Sequence, residues 1–251
     1  MLVTGFVSQL ACLLNPYQVK QVLQQIAGNR RLQELERATG DDGTGYRTKA
    51  RYSLPFSGRW LVAGGGTTPS TSHSWEILGQ RFALDFVQAD SALKRHSGSG
   101  TKPQEYRCYG ADILAAADGV VSGIENGVGA SPLLGWAIRD FTARHFVGNH
   151  VVIEHAEGEF ALYAHLIKGS ITVLPGERVS RGQVIGRCGH SGHSSEPHLH
   201  FHLQDSGDLW NGMGLPVQFH DLIVNGTPLD RLQLTAGQWV EPHAGATPPK
   251  E

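Results

Sequence analysis

Histidines alternate with large apolar residues over the stretch His198–Leu203. In a β-strand the side chains of alternate residues project from the same face, so this strand would have an imidazole face and an apolar face. Imidazoles two residues apart would lie roughly 6–7 Å from one another, because a strand rises about 3.3 Å per residue. That distance suits one metal ligand and a neighbour that acts on a water molecule. The spacing therefore predicts a metal site formed by His198, His200 and His202 in roles that remain to be assigned.

Two further β patterns supply the other groups that such a site needs. Asp85 interrupts the apolar run Ala83–Phe86, and a carboxylate is costly to bury unless it is paired or bound to a metal. His165 lies near the end of the run Leu162–Leu166. Two histidines and one aspartate with an open fourth position are a plausible catalytic zinc site, and a further histidine would take a proton or stabilise an oxyanion. Spacing alone leaves open which histidine has which role.

Composition narrows the class of protein. The 251 residues can bury a substantial core in one large domain or two small ones. Charge is balanced, with 21 Lys and Arg against 23 Asp and Glu, so no nucleic-acid partner is predicted. The 32 glycines favour a turn-rich, mainly β protein, and the 13 histidines favour metal chemistry.

The cysteines and the apolar segments say little about compartment. Cys12, Cys108 and Cys188 form neither a CxxC zinc site nor a disulfide framework, so buried free thiols are expected, with a Cys108–Cys188 bridge as the alternative. No run is long enough to be an integral membrane span. The apolar stretch Leu2–Leu14 lacks a basic flank and a clear cleavage site, so it is not a clear signal peptide. We expect a structural helix or docked segment there, with an atypical secretion or membrane-association signal as the alternative.

The chain is predicted to have three parts. Residues 1–45 form a helical N-terminal segment and linker, residues 46–240 form one domain, and residues 241–251 form a disordered tail. In the first part, Asn15 and Pro16 are typical of a helix start, and Gly28 is expected to stop the helix, after which another turn or two could follow.

The middle part is predicted to consist mainly of short strands separated by Gly, Pro or Asn. These strands are Arg59–Ala63, Phe82–Gln88, Gly119–Glu125, His150–His155, Glu159–His165, Gln183–Arg187, His198–Gln204 and Val217–Ile223.

Several ordered motifs resemble one known family. Tyr163-Ala164-His165-Leu166 resembles a Tyr-x-His-Leu motif, and Gly189–Phe201 resembles a signature that ends in His-x-His. Gly148–His155 resembles the family's central strand, and Gly176–Gly186 its Gly-x-x-Val-x-x-Gly-x-x-Ile-Gly scaffold. The family is that of the lysostaphin-type (LytM-type) zinc metallopeptidases, peptidase family M23, and the resemblance covers roughly Tyr52–Val224.

The resemblance implies both a fold and an activity. The expected fold is mainly β, an antiparallel open β-sheet or sandwich with a substrate groove, plus the small helical N-terminal segment. The expected protein is a zinc-dependent endopeptidase with one Zn²⁺ per chain, and the expected substrate is a peptide or peptidoglycan. The resemblance also implies a location in the cell envelope or outside the cell.

Residue roles follow from the same resemblance. Asp85 and His200 are implied as zinc ligands, and His165 and His198 as the pair that orients the attacking water and stabilises the tetrahedral intermediate. The family usually has a histidine four residues before the aspartate, where this chain has Arg81. His73 is the expected substitute, as in a subgroup with a longer His-to-Asp spacing. The alternative is a degenerate, non-catalytic module that binds peptidoglycan or regulates.

His202 has two equally weighted interpretations. It could line the groove or support the metal ligands, or it could be an ordinary half-exposed histidine of a strand.

Overall fold

The computed structural model describes residues 14–132, 134, 140 and 142–243. Cys12 and nearly all of the apolar stretch Leu2–Leu14 lie outside the described residues, as do residues 244–251 of the predicted tail. Cys108 and Cys188 are buried free thiols, as expected. Among the described residues, no helix has the length and apolar character that crossing a membrane requires.

The described part of the N-terminal segment, residues 14–45, contains one helix, α1, spanning Pro16–Thr39. Its start is as predicted, because the Asn15 side chain accepts a hydrogen bond from the Tyr17 N–H and proline occupies the first turn. The predicted stop at Gly28 is wrong. The helix instead ends at Gly40, which adopts the left-handed conformation with φ 69° and donates its N–H to the Glu36 carbonyl.

Gly28 has a packing role in place of the predicted terminating one. A Cβ atom at this position would lie 1.7 Å from the backbone oxygen of Trp210. The glycine therefore lets the helix backbone approach the domain closely, and this requirement outweighs the cost of a glycine inside a helix.

All eight predicted strands are present among the described residues, with shifts of one or two residues at their ends, together with five others. The strands are β1 (Trp60–Gly65), β2 (Leu84–Val87), β3 (Asp112–Leu114), β4 (Gly119–Glu125), β5 (Asn149–Ala156), β6 (Glu159–Leu166), β7 (Arg178–Val179), β8 (Val184–Arg187), β9 (Leu199–Gln204), β10 (Gly214–Leu215), β11 (Phe219–Val224), β12 (Thr227–Leu232) and β13 (Trp239–Pro242).

The expected mainly β, antiparallel fold is confirmed. In the described part of the chain, eleven strands form one sheet in the order β12-β11-β13-β1-β2-β9-β6-β5-β4-β7, with β10 paired to β9. Strands β3 and β8 form a separate pair. The histidine strand β9 lies inside the sheet, between β2 and β6.

The two faces of β9 differ as the alternation predicts. Leu199, Phe201 and Leu203 are at most 1% exposed and belong to the main hydrophobic core. Burial of three large apolar side chains stabilises the fold by several kcal/mol, at about 1.5–3 kcal/mol each. A slip of one residue would move all three out of the core, so core packing fixes the face that the imidazoles occupy.

The end of the chain differs from the predicted 241–251 tail. Glu241 and Pro242 belong to β13, where Glu241 pairs with Ile223 and Pro242 with Leu222. The His243 N–H also donates to the Asp221 carbonyl. These pairings with β11 order residues that their composition alone assigns to a tail.

Candidate metal centre

The sheet brings Asp85, His165 and His200 together from three adjacent strands. Asp85 of β2 is paired in register with His200 of β9. On the other side of β9, Ala164 of β6 is paired with His200, so His165 follows one residue later. Side chains directly opposite on neighbouring strands lie about 5 Å apart, which places their functional groups within reach of one metal ion.

One potential ligand set consists of the three residues expected to bind zinc. His73, Asp85 and His200 each offer one ligand atom, and these atoms all lie within 4.8 Å of one another. The Nδ1 atom of His200 is 2.9 Å from Oδ1 of Asp85, and Nε2 of His73 is 3.5 Å from Oδ2. Gly64 leaves room for this arrangement, since a Cβ there would lie 3.2 Å from Nδ1 of His73.

A second potential ligand set overlaps the first. His165, His198 and His200 also offer ligand atoms within 4.8 Å of one another. Nε2 of His198 is 3.6 Å from Oδ1 of Asp85. All five residues predicted from the sequence therefore lie in one cluster, and His200 belongs to both sets.

His165 is held in a strained conformation. Its φ of 63° lies in the left-handed region, which costs a non-glycine residue roughly 1–3 kcal/mol. The pairing of β5 with β6 changes register at this point. Nδ1 lies 2.7 Å from the Ser191 carbonyl. A carbonyl can only accept, so Nδ1 carries the proton and Nε2 keeps its lone pair. Burial, aided by the neighbouring His198 and His200, lowers the pKa of His165 well below its usual value.

His198 is fixed in the same way. Its Nδ1 lies 2.7 Å from the Glu196 carbonyl, so Nδ1 donates and Nε2 is left free to accept. Ser194 supports this contact, because its hydroxyl donates to the same carbonyl at 2.6 Å. The Glu196 side chain is paired with Arg95, which lies between β2 and β3. In the neutral form of each ring, His165 and His198 thus both offer Nε2 as an acceptor.

Asp85 provides the negative charge of the cluster. Burial acts to raise the pKa of its carboxyl group, but the His198 and His200 imidazoles outweigh that effect and hold the pKa well below its usual value. The carboxylate is therefore ionised at neutral pH and faces three imidazoles. An ionised carboxylate between imidazoles is a donor set that suits a zinc ion.

Arg81, at the usual ligand position of the family, binds helix α1. Its guanidinium pairs with Glu36 at 2.9 Å, donates to the Asp42 carbonyl and lies 4.7 Å from the centre of the Trp75 ring. Arg81 is therefore a buried structural contact that leaves the third ligand position to another residue.

His73 lies in a loop that is tied down at several points. The hydroxyls of Ser72 and Ser74 donate to the carbonyls of Arg81 and Gln80, at 2.7 and 2.6 Å. Asn29 of α1 accepts from the Leu78 N–H and donates to the Glu76 carbonyl. Sequence patterns gave no signal for the contacts of Asn29, because this helix residue lies more than 40 positions before its partners in the loop.

His202 is buried, so the interpretation as a half-exposed strand histidine is wrong. It is 2% exposed and hydrogen-bonds both His200 and Gln204. Burial, together with the neighbouring His200, lowers its pKa to about 3, so the ring is neutral.

An open antiparallel sheet with four imidazoles and a carboxylate clustered on one face defines a candidate metal-binding protein. Sequence comparison adds a family likeness, since residues 104–212 match the model of peptidase family M23. Over this stretch the chain is similar to peptidase family M23. The match includes His165, His198 and His200, whereas His73 and Asp85 precede it.

Curated relatives are similar to part of the chain. The chain is 44% identical over 68 residues to the peptidoglycan DD-endopeptidase ShyA of Vibrio cholerae, a match covering 27% of this chain and 15% of ShyA. It is 37% identical over 75 residues to the DD-carboxypeptidase/endopeptidase Mpg of Neisseria meningitidis, covering 30% and 17%. The chain thus spans a small part of these proteins, and their activities are stated of them alone.

Some solved structures are distantly similar to the chain. The catalytic domain of the M23 protein EnpA from Enterococcus faecalis aligns at 22% identity and a TM-score of 0.40, over 65% of this chain and 93% of that domain. Lysostaphin from Staphylococcus simulans aligns at 19% identity and a TM-score of 0.37, over 66% and 52%. Both scores are low, and the family assignment rests on the sequence match.

Proposed function

We propose that the chain is a zinc-dependent endopeptidase that hydrolyses peptide bonds in peptidoglycan. The observation that carries the proposal is the pair of spare imidazoles. His165 and His198 donate their Nδ1 protons to backbone carbonyls and present Nε2 lone pairs beside the potential ligands. The family match and relatives named peptidoglycan endopeptidases support the reaction class and substrate.

We assign the zinc ion to His73, Asp85 and His200. Two imidazoles and a carboxylate are a known ligand set for catalytic zinc with one position left open. The charge of Asp85 also favours this set, since a partly buried carboxylate needs a cation close by. With this assignment His165 and His198 both stay off the metal and can act on water or substrate.

The two spare histidines then divide the proton chemistry. His73, Asp85 and His200 would hold the zinc ion, which would supply a lowered pKa of water and polarisation of the scissile carbonyl. Because His165 is neutral, its Nε2 can accept a hydrogen bond from the attacking water and take its proton. His165 can then pass that proton to the leaving amine. The Nε2 atom of His198 lies beside His165 and, after taking up a proton from solvent, can donate to the developing oxyanion.

The alternative of a non-catalytic module was suggested by Arg81 at the usual ligand position, and the contacts of Arg81 do not favour it. Arg81 suggested a missing ligand, but Arg81 pairs with Glu36, and His73 lies within ligand distance of Asp85 and His200. Zinc content still separates the two functions, since a catalytic site requires about one zinc per chain.

The test combines metal content with turnover. The zinc-loaded chain and three variants are assayed for bound zinc and for release of soluble peptides from purified peptidoglycan. We expect His200→Ala to lose the zinc, and His165→Ala to keep the zinc and lose turnover. The exposed His243 provides a control, His243→Ala, which should retain both. Full zinc retention by His200→Ala, or no release by the zinc-loaded chain, would contradict the proposal.

A further inference from the structure

The imidazole face of β9 continues past the proposed ligand His200 to His202 and Gln204. These two side chains are 2% and 1% exposed. Buried polar side chains are retained only where they are hydrogen-bonded, and neither residue has a part in the chemistry proposed above. Their partners therefore indicate what they do.

The three side chains form a continuous chain of hydrogen bonds. Nε2 of His200 lies 2.9 Å from Nδ1 of His202, and Nε2 of His202 lies 3.1 Å from Oε1 of Gln204. The amide nitrogen of Gln204 donates to the carbonyls of Ser206 and Asp208, at 2.6 and 2.8 Å. The chain thus begins at fixed backbone and ends at the metal centre.

The backbone end sets the direction of every bond in the chain. Two carbonyls can only accept, so the Gln204 nitrogen must face them and its oxygen must face His202. His202 therefore donates from Nε2, and as a neutral imidazole it has no proton on Nδ1. Nδ1 of His202 must then accept from His200, which places a proton on Nε2 of His200.

This arrangement determines whether the atom of His200 that faces the carboxylate carries a proton. Nδ1 of His200 lies 2.9 Å from Oδ1 of Asp85. Because the His200 proton is on Nε2, Nδ1 of His200 and Oδ1 of Asp85 are both acceptors. Their lone pairs repel one another unless a cation lies between them or beside both. That cation is either a second proton on the ring or a metal ion.

We propose that His202 and Gln204 are positioning residues for the metal, holding His200 in the tautomer that offers Nδ1 as a ligand atom beside Asp85. The inference rests on the proposed zinc site. Partners that fix the tautomer of a ligating histidine typically change metal affinity by 10–100-fold when they are removed.

Zinc affinity tests the proposal directly. Dissociation constants are measured on the full chain by competition with a chelator. We expect His202→Leu and Gln204→Met each to weaken zinc binding by roughly 10–100-fold. His202→Asn should stay within a few fold of the unaltered chain, because an asparagine oxygen can occupy the position of Nδ1 and accept from His200. The rescue separates hydrogen bonding from mere filling of space.

A matched control removes a different buried histidine. His150 on β5 is 7% exposed, and its Nδ1 donates to the nearby Gly148 carbonyl. His150→Leu should leave zinc affinity unchanged. Unaltered zinc affinity in His202→Leu, or equal losses in His202→Asn and His202→Leu, would overturn the proposal while leaving the zinc site itself intact.

A second measurement needs no variant and covers the case in which His202→Leu does not fold. Long-range ¹H–¹⁵N NMR of the zinc-loaded chain distinguishes the histidine tautomers. We expect protons on Nε2 of both His200 and His202. A proton on Nδ1 of either ring would overturn the proposal. Failure of the unaltered chain to bind zinc would overturn the proposed function as well, which separates the two outcomes.

Discussion

The proposed ligands fall into two halves that are positioned differently. Asp85 and His200 are register partners on adjacent strands inside the sheet. His73 lies in a loop, and its side chain is 35% exposed. The strand half is positioned by the main core, whereas the loop half depends on hydrogen bonds within the loop and on helix α1. One metal site therefore depends on two structures of unequal rigidity.

The contrast predicts which proposed ligands will be displaced by substitutions elsewhere in the protein. Strand positions are set by backbone ladders and buried side chains, so they should resist distant substitutions. The loop position relies on a few polar contacts, among them Asn29 with Leu78 and Glu36 with Arg81. Changes on α1 should therefore affect the metal site through His73 and leave Asp85 and His200 in place.

The largest expected effect compares removal of one ligand from each half. His200→Ala should abolish stoichiometric zinc binding, because His200 belongs to both potential ligand sets. His73→Ala should leave weaker binding, since His198 lies 3.6 Å from Asp85 and can take the vacant place. Both dissociation constants are measured by chelator competition. Equal losses in the two variants would show that the halves contribute alike.

The next effect tests the link from the helix to the loop. Glu36→Gln leaves the buried guanidinium of Arg81 without its carboxylate partner, which should lower the free energy of unfolding by about 2 kcal/mol. This loss is smaller than that for breaking a fully buried ion pair, because Glu36 is partly exposed. Zinc affinity should fall with it. Asp112→Asn, which breaks the exposed pair with Arg187, is the control and should change stability by less than about 1 kcal/mol. Denaturant unfolding and zinc titration measure both quantities, and unchanged zinc affinity in Glu36→Gln would refute the link.

An effect of similar size on stability, with none expected on the metal ligands, concerns how closely the helix approaches the domain. Gly28→Ala should destabilise the protein by roughly 1–3 kcal/mol, although alanine is the better helix former, because its Cβ would overlap the Trp210 carbonyl. Gly45→Ala is the control, since a Cβ at Gly45 has no neighbour within 4 Å among the described residues. Thermal unfolding distinguishes the two, and a Gly28→Ala variant as stable as the parent would argue against tight docking.

The smallest effect tests strain in the strand half. His165→Gly should be about 1 kcal/mol more stable than His165→Ala, because glycine adopts φ 63° without steric cost. At His150, where φ is not positive, the order should reverse, with glycine the less stable variant. Paired denaturant curves give both differences. The same order at both positions would remove the evidence for strain at His165.

The sequence predicts the strand half of the site well. Alternation along β9 places its histidines on one face and its leucines and Phe201 in the core, as the structure has them. Apolar runs also predict β2 and β6. These features can be predicted from the sequence because each depends on a local pattern with a period of two residues.

The loop half is harder to predict from the sequence, because it depends on contacts between residues that are distant in the chain. Arg81 is read as a missing ligand until its partner Glu36 is known, and that partner lies 45 positions earlier. Gly28 has the composition of a helix stop, yet close packing on Trp210 explains it. Strand β12 escapes detection because Thr227–Leu232 is polar and contains a proline, both atypical of strands.

One measurement tests the ligand assignment most directly. A crystal of the zinc-loaded chain gives an anomalous difference map at the zinc absorption edge. We expect one peak, about 2.0–2.2 Å from ligand atoms of His73, Asp85 and His200, with His165 and His198 unligated. A peak bound instead by His165, His198 and His200, or no peak in the cluster, would contradict the account.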